Sequence, residues 1–216
     1  MGGCCSKSNS EKDDFNAFEF DGLKEELKKI SSKGFQMPIQ WGYSADEKGF
    51  IPLKEMHFSY DTCKFLAIGN DSEGEFAVTG MIEKQGEVTI EQIYRAKGRK
   101  KFKGKFDENV LNGEWENSGK EGKFTLEFIS KVWRSDKHFV ALKSLQEPVG
   151  IAKFDYGFGI VHGTPSAENS MSLIVTFNDG KTGGLKCTLQ EDKMRVEVEV
   201  SNKKQILQLK AKDESE

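Results

Sequence analysis

The sequence predicts a mainly β protein, in which an antiparallel meander forms a barrel or packed sheets and one amphipathic helix lies near the N-terminus. From about Phe35 onward, apolar residues recur with a period of two in short segments that end at Gly, Asn or Asp. No helical pattern separates these segments, which disfavours a parallel sheet with crossover helices. The 216 residues include 22 Gly for turns and 16 Phe for a core, enough for one large β domain or two small ones.

An amphipathic helix is predicted over residues 19–34. Its apolar residues recur at intervals of three, four and three, the spacing of one helical face: Phe20, Leu23, Leu27 and Ile30. Asp21 can cap the N-terminus, and Gly34 ends the helix. The narrow apolar stripe favours a helix that packs on the sheet, for example across a barrel end, and the alternative is a helix on a membrane surface.

The alternating pattern divides into two β segments. Residues 35–134 form a β meander, and residues 135–212 form a second β segment that can belong to the same domain. The soft boundary lies in the stretch with the weakest pattern, residues 135–149. About a dozen strands are expected in total. The acidic residues 213–216 are predicted to be a disordered tail.

The first residues carry the clearest functional signal. Residues 1–18 are predicted to be an acylated flexible tether, and the chain opens Met1-Gly2-Gly3-Cys4-Cys5-Ser6-Lys7. This start fits the myristoylation pattern M-G-x-x-x-[ST], with Gly2 as the acceptor. The segment resembles the anchor region of dually acylated peripheral membrane proteins, which carry myristate and palmitate. The resemblance implies that Cys4 and Cys5 are palmitoylation sites.

Lasting attachment to a membrane needs more than the first acyl chain. A myristoyl group alone gives a partition constant of about 10⁴ M⁻¹, which supports only reversible binding. A palmitate on Cys4 or Cys5 adds about 0.8 kcal/mol for each buried CH₂. Lys7 is a candidate membrane-contact residue beside these chains. Since the start lacks the apolar stretch of a secretory signal, we expect a peripheral, lipid-anchored protein on the cytoplasmic face of a membrane.

Cations with a period of two form the clearest charge feature in the rest of the chain: Arg99, Lys101, Lys103 and Lys105. The alternation places these four cations, here named the cation stripe, on one face of a strand, with Phe102 and Phe106 on the other. Glutamates on the polar faces of the preceding and following strands flank the stripe: Glu87, Glu91, Glu114 and Glu116. The pattern favours a solvated ladder of opposite charges, and the alternative is a stripe that contacts anionic lipid.

No sequence pattern indicates catalysis or a cofactor. His57, His138 and His162 lack the spacing of metal ligands, so we expect no metal site. Cys63 and Cys187 are interpreted as small buried apolar residues. Hydrolase, phosphate-loop and zinc-protease motifs are absent from the sequence, and the net charge of −3 is too small to indicate nucleic-acid binding.

The leading hypothesis is a lipid-anchored binding or scaffold module without catalysis. Its expected partners are membrane lipid, through the acyl chains, and an unidentified protein. The alternative is a β-barrel carrier of a small apolar ligand, which requires an interior cavity of roughly 300 Å³ or more.

Overall fold

The computed structural model describes residues 10–43, 51, 53–96, 98–117, 119–167 and 169–212. Within these ranges the chain forms one helix and two closed barrels, each with eight antiparallel strands. The prediction of a mainly β, antiparallel fold with one N-terminal helix is confirmed, and a barrel is the form that the sheet takes. Sixteen strands are described, more than the expected dozen, because several short buried strands do not alternate.

The helix α1 spans Ser10–Lys33 and begins earlier than the predicted residue 19, inside the segment predicted to be a tether. The sequence supplies acidic residues to its first turns, and such residues are favoured by the partial positive charge of a helix N-terminus. Asn16 is only 7% exposed, so a polar residue extends the packed face of the helix. The spacing of apolar residues could not predict the burial of Asn16, because this residue is polar.

Barrel 1 follows α1 without an intervening loop. Its strands are β1 Gly34–Tyr43, β2 Glu55–Ser59, β3 Lys64–Asp71, β4 Gly74–Ile82, β5 Glu87–Tyr94, β6 Arg99–Asp107, β7 Val110–Asn117 and β8 Lys120–Phe128. Neighbouring strands pair in chain order. The long strand β1 closes the barrel, because its first half pairs with β2 and its second half pairs with β8.

Barrel 2 repeats this architecture. Its strands are β9 Lys131–Arg134, β10 Phe139–Leu142, β11 Gly150–Phe154, β12 Gly157–Ala167, β13 Ser170–Phe177, β14 Thr182–Gln190, β15 Lys193–Val200 and β16 Lys203–Ala211. β9 closes the barrel by pairing with both β10 and β16. The change from one barrel to the other therefore falls at residues 129 and 130, slightly before the predicted boundary. β10 lies within the weakly patterned stretch because all four of its residues are buried.

The interior of barrel 1 is filled by aromatic and aliphatic side chains. Phe58, Phe65 and Phe102 are fully buried, and their rings belong to one continuous cluster. Gly113 lets β6 and β7 approach closely, since a Cβ there would collide with the Lys103 carbonyl oxygen and lie 2.7 Å from the Phe124 ring. Glycine in this strand thus makes room for a neighbouring ring.

One mouth of barrel 1 packs directly against barrel 2. The Phe158 ring of β12 lies 6.1 Å from the Phe106 ring and 5.4 Å from the Phe139 ring, centroid to centroid. The Phe158 N–H donates to the Lys84 carbonyl oxygen at 2.9 Å. Gly86 has φ +87°, and a Cβ there would lie 2.6 Å from the Phe158 ring. One hydrophobic cluster consequently contains residues of both barrels.

Polar contacts surround this junction. Glu108, in the turn between β6 and β7, accepts hydrogen bonds from Arg134 at 3.0 Å and from Lys212 at 2.9 Å. Burial opposes ionisation of Glu108, but the hydrogen bonds and charges of Lys212 and Arg134 outweigh it and lower its pKa below the ordinary value. Asn178 donates to Glu83 at 3.0 Å. These contacts tie the ends of barrel 2 to the turns of barrel 1.

α1 lies on the outer wall of barrel 1, along β1 to β5, rather than across a barrel end. Phe20 is fully buried. The strand side chains that point outward at this wall are also fully or almost fully buried, among them Leu66, Ala77 and Ile93. The apolar face predicted from Phe20 and Ile30 therefore packs on the sheet, as favoured from the sequence.

Candidate functional site

The cation stripe occupies β6 as the alternation predicts. Phe102 and Phe106 of the same strand are buried in barrel 1, so Lys101, Lys103 and Lys105 lie on the outer face. The register places Lys105 opposite Glu87 in β5 and Lys103 opposite Glu114 in β7. The outer wall thus carries the predicted ladder of alternating positive and negative side chains.

Two of the lysines form ion pairs within this ladder. Lys105 Nζ lies 3.0 Å from Glu87, and Lys101 Nζ lies 3.6 Å from Glu91. The hydrogen bond from Lys105 lowers the pKa of Glu87, whose carboxylate is on the surface. Exposed pairs of this type contribute little to stability because water and salt screen them. With these lysines and glutamates, the outer wall is strongly polar and carries similar numbers of positive and negative charges.

In the part of the chain that the structure describes, Arg99 contacts α1, unlike the other three cations of the stripe. Its guanidinium donates to Glu19 of α1 at 2.8 Å and to the Asn16 side-chain oxygen at 3.4 Å. It also lies 3.6 Å from Glu91. Arg99 therefore holds the first half of α1 on barrel 1. The sequence could not indicate this role, because Arg99 and Glu19 lie 80 positions apart in the chain and no local pattern relates them.

A cleft opens on the outer wall over β6, β7 and β8, with a volume of about 700 Å³. We name it the charged cleft, and it is lined by Lys101, Lys103, Glu114, Trp115, Glu116, Glu121, Gly122 and Lys123. Trp115 is mostly buried in barrel 1, and its indole nitrogen would lie 2.5 Å from a Cβ at Gly122. Glycine at this position lets the indole pack against β8.

Several charged side chains of the charged cleft form no ion pair with their neighbours in the ladder. Glu114 lies between Lys103 and Lys123 in the register, yet no ion pair within 4.0 Å joins these three side chains. Glu116 lies directly opposite Glu121, and like charges in this arrangement are unfavourable. A ligand or partner with groups of both signs could satisfy these side chains.

Two further residues of the charged cleft follow from the alternation along β8. Glu121 and Lys123 alternate with the inward-facing positions of Phe124 and Leu126. They therefore share the outer face with the ladder. The contribution of Trp115 to the cleft could not be read from the sequence, because it depends on the absence of a side chain at Gly122.

The predicted lipidation sites Gly2, Cys4 and Cys5, and the candidate contact Lys7, lie outside the described residues, as do residues 213–216. Cys63 and Cys187 are buried, as expected, and burial raises the pKa of each thiol to about 12. These two thiols are therefore protonated at neutral pH and are poor nucleophiles. Cys4 and Cys5 differ from them in lying beside Gly2 at the start of the chain.

The three histidines lie in separate places. His57 bridges α1 and barrel 1, with Nδ1 3.2 Å from the Ser31 hydroxyl, and burial lowers its pKa. His138 lies in barrel 2, with Nε2 2.8 Å from Asp155. The His162 ring lies against the Tyr60 ring at the junction of the barrels, with the centroids 4.1 Å apart and the ring planes tilted by 35°. No group of three or more metal-binding side chains occurs among the residues that the structure describes.

No described helix combines the length and the apolar character required to cross a bilayer.

Comparisons with known proteins give no relative for this chain: no protein-family model, no curated protein and no solved structure matches it.

Proposed function

We propose that this protein is a lipid-anchored binding or scaffold module on the cytoplasmic face of a membrane, without catalysis. Acyl chains on Gly2 and on Cys4 or Cys5 hold it to the bilayer, and the charged cleft binds a protein partner. The coincidence of Gly2, two adjacent cysteines and Ser6 in the M-G-x-x-x-[ST] pattern is the observation that carries this proposal.

The position of α1 supports the anchoring role. The chain from Gly2 to Ser10 can span at most about 28 Å, because an extended chain covers about 3.5 Å per residue. α1 is in turn held on barrel 1 by the buried Phe20 and by the ion pair of Glu19 with Arg99. An acylated N-terminus would therefore keep the whole barrel close to the bilayer.

The shape and charge of the cleft support the binding role. A volume of about 700 Å³ lies within the range of ligand-sized sites, but its lining is charged rather than apolar. Lysine and glutamate side chains that face the solvent without ion pairs can be recruited by a partner of complementary charge. This chemistry suits a charged segment of a protein better than a small apolar molecule.

The packing of the barrels favours the scaffold over the apolar carrier. Phe102 and Phe124 meet edge to face inside barrel 1, 5.4 Å between ring centroids, and Phe58 meets Phe65 at the same distance. A second cleft of about 230 Å³ also opens on an outer wall, over β13 to β16. A carrier would need its cavity among the interior rings.

The direct test of anchoring is the distribution of a Gly2→Ala variant between membrane and cytosol in cells. Loss of the acceptor glycine prevents myristoylation. Palmitoylation usually requires that the myristoyl group first brings the protein to the membrane. We expect Gly2→Ala to move to the cytosolic fraction, whereas the matched Gly3→Ala variant stays with membranes. Equal membrane association of Gly2→Ala and the unchanged protein would refute the anchor.

A further inference from the structure

We propose that the exposed face of α1 lies against the lipid bilayer with Phe18 inserted into the interface. The charged cleft, on the opposite wall of barrel 1, then faces away from the membrane. This inference deepens the proposed function and rests on the acyl anchor that it includes. It also separates the two surfaces: α1 contacts lipid, and the charged cleft, with Lys101 and Lys103 of the cation stripe, is presented to a protein partner.

The exposed face of α1 is well defined. We name it the outer ridge, and its residues recur at intervals of four, three, four and four: Phe18, Gly22, Glu25, Lys29 and Lys33. All five are exposed, whereas Phe20 and Ile30 on the other side of the helix are buried against barrel 1. The outer ridge therefore points directly away from the barrel wall.

Phe18 is the most unusual residue of this ridge. It is 80% exposed, whereas the other exposed large apolar side chains of the described residues lie between 40% and 53%. Phe20, two residues later, is fully buried. Isolated exposed apolar residues are common, so exposure alone would mean little. The exposure of Phe18 is informative because this residue lies near the predicted acylation sites in the chain.

The length of the tether puts Phe18 within reach of the bilayer. Gly2 and Ser10 can be at most about 28 Å apart, and α1 rises about 12 Å from Ser10 to Phe18. Acyl chains inserted in the membrane therefore hold the first half of α1 near the headgroups. Transfer of an aromatic ring from water into the membrane interface is favourable at that depth.

Charge adds to this contact on anionic membranes. Lys29 and Lys33 of the outer ridge are exposed, whereas Lys28 is paired with Glu25 at 2.6 Å. Attraction to anionic headgroups grows by about 1 kcal/mol for each unpaired cation near the surface. Because neutral phosphatidylcholine offers no such attraction, we expect Phe18 to determine the contact on that lipid and anionic lipid to strengthen it.

The topology then fixes the direction of the charged cleft. α1 contacts β1 to β5, and the cleft is formed by β6, β7 and β8. In a closed barrel of eight strands in sequential order, β7 lies across the barrel from β3. A bilayer against the outer ridge leaves Lys103 and Glu114 facing the solvent on the far side.

Fluorescence from introduced tryptophans tests this orientation. Phe18→Trp and Lys29→Trp place an indole on the outer ridge, and Glu114→Trp places one in the cleft. The acylated protein would be bound to phosphatidylcholine vesicles that contain spin-labelled phosphatidylcholine. Against the background of the native tryptophans, we expect added, blue-shifted emission that the spin label quenches for both ridge variants, and unquenched emission for Glu114→Trp.

Each other result overturns a distinct part of the proposal. Quenching of Glu114→Trp would show that the cleft faces the bilayer. Unquenched ridge variants in a protein that still sediments with vesicles would remove the orientation and leave the anchor intact. Failure of the acylated protein to sediment with the vesicles would remove the anchor and the orientation together.

A second measurement isolates the contribution of Phe18. The Cys4→Ser/Cys5→Ser variant retains only the myristoylation site, so its binding to phosphatidylcholine vesicles is reversible and measurable. In that background we expect Phe18→Ala to weaken partitioning about three- to tenfold, consistent with removing one aromatic ring from the interface. Ile206→Ala, which truncates an exposed residue of barrel 2, should leave partitioning unchanged. Equal partitioning of Phe18→Ala and its parent would contradict the contact.

Discussion

Gly113 illustrates how one residue permits the packing of barrel 1. A Cβ there would meet the Lys103 carbonyl oxygen, the Gly104 Cα at 2.6 Å and the Phe124 ring. Neither backbone atom can move without disturbing the ladder. We expect Gly113→Ala to lower the free energy of unfolding by about 1 to 3 kcal/mol, as overpacking of a tight core does. Urea denaturation measures this difference.

Gly184 is the matched control for Gly113, since it also lies in an antiparallel strand. A Cβ at Gly184 would have no heavy atom within 4 Å. Gly184→Ala should therefore be neutral or stabilise the protein by up to about 1 kcal/mol through the unfolded chain. Equal destabilisation by both substitutions would contradict the close approach seen at Gly113.

Glu108 is a charged residue of barrel 1 that pairs with two cations beyond β8. Its side chain is 16% exposed and accepts from both Arg134 and Lys212. Glu108→Gln keeps the shape but removes the charge, and we expect a loss of about 1 to 2 kcal/mol near neutral pH. Glu121→Gln, at an exposed position in the charged cleft, should change stability by less than about 0.5 kcal/mol.

The lowered pKa of Glu108 also predicts a pH dependence. Its ordinary value is 4.5, and the folded protein holds the pKa below it. The stabilisation is therefore complete above 4.5 and is lost as the pH falls through the lower folded pKa. The stability difference between the unchanged protein and Glu108→Gln should narrow on the acid side of 4.5 in urea titrations at several pH values. A difference that widens with acidity would contradict this assignment.

α1 owes its position to one face, and two phenylalanines on the helix allow a matched comparison. Phe20 is fully buried on barrel 1 and Phe18 is 80% exposed. Phe20→Ala should lower the free energy of unfolding of the non-acylated protein by about 3 to 5 kcal/mol. Phe18→Ala should change it by less than about 0.5 kcal/mol. Thermal or urea denaturation gives both values, and similar losses for the two variants would show that α1 packs differently.

The elements differ in how far the sequence predicts them. β6 is predicted from the alternation of its cations with Phe102 and Phe106, although a buried lysine, Lys100, interrupts the apolar pattern. Its charge ladder follows from the outward-facing positions of Glu87 and Glu114. β10 was not readable, since a strand buried on both sides carries no alternation. The start of α1 was missed because its contacts there involve polar residues, Asn16 and Glu19, held by Arg99.

At the level of the molecule, one hydrophobic cluster extends from barrel 1 into barrel 2, and the two barrels should unfold together. Phe158 of barrel 2 packs among the rings of barrel 1, and Cys63 donates to the Thr176 carbonyl oxygen at 3.4 Å across the junction. We expect a single calorimetric transition with equal calorimetric and van't Hoff enthalpies. Two resolved transitions would show that the barrels are energetically independent.

The sequence predicts the charge ladder of the candidate site but not the charged cleft. Charge parity along β6 and β7 predicted the ladder, because it depends only on local alternation. The charged cleft and its position across from α1 depend on closure of the barrel between β1 and β8, a long-range pairing that no local pattern encodes. The lipidation motif is local and was readable, but its chemistry lies outside the described residues.

Intact-mass analysis of the protein purified from its native cells, before and after hydroxylamine, distinguishes an acylated N-terminus from an unmodified one. Hydroxylamine cleaves thioesters and leaves amides. We expect one myristoyl group that survives the treatment and one or two palmitoyl groups that are released. A native protein whose mass shows no acyl group on the N-terminal segment would refute the lipid anchor.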